Sequence, residues 1–139
     1  MYYLRTEHSF DSAHFLKDYE GKCRNIHGHR WKVIVEIAKQ DLETDGSRRG
    51  MIVDFSEIKD RLKSICDEFD HCLVCEKGSL KSKTMEALLE EDFRMIETDF
   101  IPTAENFAKY FYDRIKKEGF LVHRVEVHET PNNYAAYEE

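Results

Sequence analysis

From Trp31 to Ala38 the order Trp-Lys-Val-Ile-Val-Glu-Ile-Ala sets Trp31, Val33, Val35 and Ile37 on one side of an extended chain, the alternation of a half-buried β-strand. Such a strand needs an apolar partner over that face, and two later segments supply one. Ile58, Leu62, Ile65 and Phe69 recur at helical spacing after Asp54, an N-cap with Glu57 three residues on in the capping-box pattern, so a helix is expected over 55–69. Pro102-Thr103, with Thr103 as N-cap, opens a second helix whose stripe is Phe107, Phe111 and Ile115 and whose stop is Gly119. Residues 1–13 read as a first strand running toward His14. Asp45 to Gly50 is a turn, and Met51-Ile52-Val53 continues as a short extended piece, which together point to an antiparallel hairpin. Val122 to Glu129 alternates, with Val125, Val127 and Glu129 sharing a side. The expected order is β-β-β-α-insert-α-β. It defines an α+β domain, a small antiparallel sheet with two helices packed on one face. The insert at 78–100 is an extended loop or a short helix around Met85–Glu90.

With 139 residues and 41% hydrophobic content, the chain is sized for one domain over 1–139, burying about two-thirds of its unfolded surface. Acidic residues outnumber basic ones, 28 to 21, and the net charge of -7 argues against a nucleic-acid partner. An anionic substrate would need a metal or a few well-placed cations. Apolar runs such as Val33-Ile34-Val35 are too short to span a bilayer, and Met1 to His8 lacks the apolar core of a signal peptide. No membrane partner is expected, and the cytoplasm is the expected location. There the four cysteines, Cys23, Cys66, Cys72 and Cys75, should be reduced thiols. No GxGxxG or Walker-type loop occurs, so nucleotide-cofactor chemistry finds no support.

The sharpest feature is Cys23-Arg24-Asn25-Ile26-His27-Gly28-His29, directly before the strand at Trp31. In strand geometry residues two apart point the same way, so both imidazoles can converge on a metal. His14, at the end of Phe10-Asp11-Ser12-Ala13-His14, offers a third ligand. Three neutral imidazoles leave a fourth position open, the arrangement of catalytic zinc. Cys23 as fourth ligand would close the site and make it structural, although structural sites usually carry more thiolates.

Asp70-His71 follows the first helix. A carboxylate beside an imidazole fixes its tautomer and supports its charged form, although such a pair also occurs at a helix end in water. Glu129 falls on the apolar side of its strand, where a carboxylate is costly unless it accepts hydrogen bonds. A guanidine-like ligand edge would supply two donors for its two oxygens. The alternative is that Glu129 stands past the sheet edge in solvent. Cys66, Cys72 and Cys75 read as packing residues.

In their order along the chain, Phe10 to His14, Cys23-x3-His27-Gly28-His29, Asp70-His71, Pro102-Thr103-x-Glu105-Asn106 and Glu129-Thr130-Pro131-x-Asn133 resemble the 6-pyruvoyltetrahydropterin synthase / 6-carboxytetrahydropterin synthase family. Within it the chain looks most like the bacterial carboxy branch of queuosine and 7-deazapurine biosynthesis. The resemblance implies that His14, His27 and His29 hold Zn2+ and that Cys23 is the general base. It implies that Asp70 and His71 form a proton relay, and that Glu129 anchors the pterin edge and takes part in that relay. Glu105 and Thr103 match positions near the same pocket. The implied reaction converts 7,8-dihydroneopterin triphosphate to 6-carboxytetrahydropterin, with acetaldehyde and triphosphate released. The pyruvoyl-forming activity is the alternative, and a non-catalytic zinc-stapled oligomer the alternative from another class. Cysteine acting as base near neutrality needs positive charge nearby, for which zinc, His71, Lys22 and Arg24 are available. The family fold implies trimers closing into a β-barrel, often paired into homohexamers, with active sites between subunits.

The chain departs from that pattern after Asp70-His71. The family usually continues with Leu-Asn and soon reaches Pro-Thr, whereas here Cys72-Leu73-Val74-Cys75 and a longer stretch precede Pro102. A sister group acting in folate synthesis carries a Glu within the segment before His-Gly-His. Here Arg24-Asn25-Ile26 stands there, behind an intact Cys23.

Overall fold

The first two strands, β1 (Tyr2–His14) and β2 (His27–Lys39), pair antiparallel along their whole length in the computed structural model, which describes residues 1–139. The register sets Phe10 opposite Trp31, Ser12 opposite His29 and His14 opposite His27. After them come α1 (Phe55–Phe69), β3 (Cys72–Glu76), α2 (Ser82–Glu90), β4 (Met95–Thr98), α3 (Ala104–Lys117), β5 (Val122–Thr130) and β6 (Asn133–Glu138). The six strands form one sheet in the order β4-β3-β1-β2-β5-β6.

The α+β architecture and its two core helices agree with the sequence pattern. The alternating face of β2 is fully covered, with Trp31, Val33 and Val35 at 0% exposure and Ile37 at 2%. It packs with Ile58, Leu62 and Phe69 of α1, Phe107, Phe111 and Ile115 of α3, and Val125 and Val127 of β5 in one core cluster. Both expected caps form. The Asp54 carboxylate accepts from Ser56 N–H at 2.8 Å, and Thr103 Oγ accepts from Asn106 N–H at 3.3 Å. Glu57 does not close a capping box; its carboxylate pairs with Arg48 instead. At the end of α3, Gly119 takes φ +94°, a left-handed conformation that costs a glycine little.

Three expectations change. Met51-Ile52-Val53 joins no strand; the hairpin partner of β2 is β1, and Ile52 and Val53 pack against the core from a bend before α1. The sheet is not wholly antiparallel, because β3 pairs parallel with β1 and with β4. The chain returns to that side of the sheet through α1 and α2, and helical crossovers deliver parallel strands. The 78–100 insert holds the expected short helix, as α2, and adds an unexpected strand, β4. No helix is long and apolar enough to cross a membrane.

Candidate active site

The β1–β2 register alone assembles the central feature. His14 ends one strand, His27 begins the next directly opposite, and His29 follows on the same face. The ring centroids lie 4.5 Å apart for His14 and His27, 4.9 Å for His27 and His29, and 5.2 Å for His14 and His29. One ring nitrogen from each lies within 4.8 Å of the others. Cys23 is not part of this group.

Main-chain acceptors set the tautomers. His14 Nδ1–H donates to the Pro102 carbonyl at 2.7 Å, and His27 Nδ1–H donates to the Asn25 carbonyl at 2.7 Å. Both Nε2 atoms therefore present lone pairs, and these atoms are 3.1 Å apart. His29 Nε2 is buried without a hydrogen bond. Burial pushes the His14 pKa down to about 4 against the pull of the Pro102 carbonyl, with His27 and His29 pushing the same way as burial. Burial also lowers that of His29, opposed by Glu129. Convergent ring nitrogens, with the second nitrogen of His14 and of His27 held by a carbonyl, are what a divalent transition-metal ion requires of its ligands. The three histidines could hold a metal ion.

Glu129 stands beside them. As the alternation of β5 predicts, it continues the inward face of Val125 and Val127, and the reading that puts it in solvent past the sheet edge gives way. One carboxylate oxygen lies 3.4 Å from His14 Nε2 and 3.6 Å from His29 Nε2. Its side chain, 30% exposed, lines a cavity of about 640 Å³ with Cys23, Thr103, Glu105, Asn133 and Tyr134. That volume suits a small heterocyclic ligand. Cys23 is half-buried and free, carried on the single helical turn Lys22–Arg24. Its carbonyl accepts from Leu16 N–H at 2.9 Å, which ties this turn back to the end of β1.

Asp70 and His71 are paired, and His71 borders a different cavity, one that His29 also lines. His71 Nδ1 is 2.9 Å from Asp70 Oδ2, and Asp70 Oδ1 accepts from Asp11 N–H at 2.9 Å. The Asp11 N–H bond, with the His71 contact adding to it, holds the Asp70 carboxyl below its ordinary range. The His71 side chain is 78% exposed and borders a second cavity that shares no lining residue with the Cys23 cavity. Within one chain, the thiol and the Asp-His pair line different cavities.

The remaining cysteines are packing residues. Cys66 and Cys75 are fully buried and Cys72 nearly so; burial pushes the Cys72 thiol up to about 11 and raises the other two as well. Sequence reasoning missed the carbonyls of Pro102 and Asn25, because a main-chain acceptor has no residue signature. It also missed Tyr134, on the unrecognised β6, and the role of Asn106, whose amide donates to the Ile101 carbonyl at 2.9 Å and steadies the loop before α3.

The fold and the site define an α+β protein with a three-histidine centre beside a cavity, and comparison with known proteins gives its family. The family model described as 6-pyruvoyl tetrahydropterin synthase matches residues 3–139, and the chain belongs to that family. It is 33% identical, over the full length of both chains, to a protein of Haemophilus influenzae named 6-carboxy-5,6,7,8-tetrahydropterin synthase. A Synechocystis protein of the same name is 34% identical, covering 83% of this chain and 97% of its own. Among solved structures, an uncharacterised Wolinella succinogenes protein superposes with a TM-score of 0.76 at 21% identity, covering 99% of this chain and 98% of its own. The 6-pyruvoyl tetrahydropterin synthase of Caenorhabditis elegans gives 0.69 at 24% identity, with 99% and 95% covered.

Proposed function

We propose that this chain is a zinc-dependent 6-carboxy-5,6,7,8-tetrahydropterin synthase of queuosine and 7-deazapurine biosynthesis, working in the cytoplasm. The observation that carries the reading is the set of three converging imidazoles placed beside a cavity that holds both a free thiol and a carboxylate. The names of the full-length relatives favour the carboxy product.

His14, His27 and His29 would hold the zinc, which supplies Lewis-acid stabilisation of charge developing on substrate oxygen. Glu129 accepts two N–H hydrogen bonds from the amino and ring edge of the pterin, orienting the side chain toward the histidines. Thr103 and Glu105 shape the wall around it. Cys23 removes a carbon-bound proton from the substrate side chain, and the Asp70–His71 pair returns protons to the ring. Proton transfers of this kind move reducing equivalents from side chain to ring without an external redox cofactor. Loss of triphosphate and of a two-carbon aldehyde, with water consumed, leaves the carboxylate.

Since Cys23 and His71 line separate cavities, the working site combines the thiol of one copy with the relay of another. The sheet ends in open edges at β4 and β6, and edges of this kind favour closure by further copies. A trimer-based homohexamer satisfies both demands.

The test is incubation of zinc-loaded protein with 7,8-dihydroneopterin triphosphate and mass spectrometry of the products. Acetaldehyde with 6-carboxytetrahydropterin is expected. Retention of the side-chain carbons would establish the pyruvoyl activity instead, and absence of any turnover would leave the zinc-stapled oligomer.

A further inference from the structure

Helix α1 ends at an awkward place. Its last-turn carbonyls have no intrahelical donors, and the usual remedy is a left-handed glycine just beyond the end. Here the left-handed position, φ +54°, is held by His71, a residue with a Cβ that disfavours it. Two bonds to Asp11 bind the turn from one side: His71 N–H donates to the Asp11 carbonyl at 2.6 Å, and Asp11 N–H donates to Asp70 Oδ1 at 2.9 Å.

The other side is closed by Arg94. Its guanidinium donates to the carbonyls of Glu68 at 2.7 Å, Asp67 at 3.1 Å, and Asp70. Every one of these partners is a main-chain carbonyl. The Arg94 carbonyl in turn accepts from Leu73 N–H at 3.0 Å, so one residue grips the chain on both sides of Asp70 and His71. Only a planar fork with several donors spans three acceptors, and its charge complements the negative end of the helix. Arg94 lies between α2 and β4, inside the segment that departs from the family pattern.

We propose that Arg94 is a positioning residue, clasping the end of α1 so that His71 stays in its left-handed turn with Nδ1–H on Asp70. The inference rests on the reading of Asp70 and His71 as the proton relay. It gives the 78–100 insert a function: β4 aligns beside β3 to deliver the guanidinium.

The experiment compares zinc-loaded wild-type, R94M and R94K proteins in turnover of 7,8-dihydroneopterin triphosphate, zinc content, and the proton NMR resonance of His71 Nδ1–H. R94M should lower kcat roughly 10- to 100-fold with KM within about twofold and zinc content unchanged. Its His71 Nδ1–H resonance should be lost to solvent exchange, and R94K should restore part of both signals. The inference is overturned if R94M keeps wild-type kcat, keeps the resonance, or loses zinc or substrate affinity along with activity. If R94M does not fold, R94K decides: a reduced kcat with a weakened resonance supports the clasp, and wild-type values overturn it. If the wild-type chain shows no turnover, the proposed function fails, and the resonance in R94M alone settles the role of Arg94.

Discussion

His14 and His27 face each other Nε2 to Nε2 across 3.1 Å, with neither nitrogen free to be a donor, since each ring's proton is committed to a carbonyl. Opposed lone pairs at that separation repel, and an ion between them removes the repulsion.

Zinc should bind at one ion per chain, measured by elemental analysis after dialysis. His14→Ala, His27→Ala and His29→Ala should each abolish stoichiometric loading. With free zinc at about 100 times Kd, the loaded fold gains about 2.7 kcal/mol, read as a rise in Tm that a chelator reverses.

Metal-free protein should lose stability on acidification. The His14 pKa is about 4 in the fold against an ordinary 6.5. Between those values the unfolded chain binds a proton that the folded chain refuses, so stability rises with pH through this window and falls as pH drops from 6.5 toward 4. The full effect is on the order of 3 kcal/mol. Urea midpoints at several pH values check it, and His14→Phe should flatten the dependence.

Cys23→Ala should keep zinc and Tm while kcat falls by a factor of about 100 to 10,000, the worth of a general base. Normal turnover by this variant would reassign the base.

Mixing two inactive variants tests the shared site. Cys23→Ala and His71→Ala chains, unfolded together and reassembled, should regain activity. In a random equal mixture about a quarter of the sites pair an intact thiol with an intact relay. No recovery would place both groups in one chain's site.

Thr103→Ala removes the α3 cap and should cost about 1 kcal/mol in denaturant unfolding. Zinc affinity should weaken as well, because the neighbouring Pro102 carbonyl orients His14.

How much could be read in advance depended on range. The β2 face from Trp31 to Ile37, the α1 stripe ending at Phe69 and the Asp54 and Thr103 caps are local patterns, and each formed where its spacing placed it. β3 was hidden because a buried parallel strand reads as the apolar run Cys72-Leu73-Val74-Cys75 without alternation. β6 was hidden because an exposed edge strand, Asn133–Glu138, needs no apolar face.

The sequence by itself determined the ligand types, since His14, the His27-Gly28-His29 spacing, Cys23 and Glu129 are legible as chemistry before any folding. The β1–β2 register decided that the histidines meet, and the carbonyls of Pro102 and Asn25 decided which nitrogen His14 and His27 present. The same tertiary packing parted Cys23 from Asp70 and His71 and brought Arg94 onto the end of α1. These relationships join residues distant in the chain through main-chain groups, and carbonyls and N–H groups are the same in every residue, so no sequence pattern could announce them.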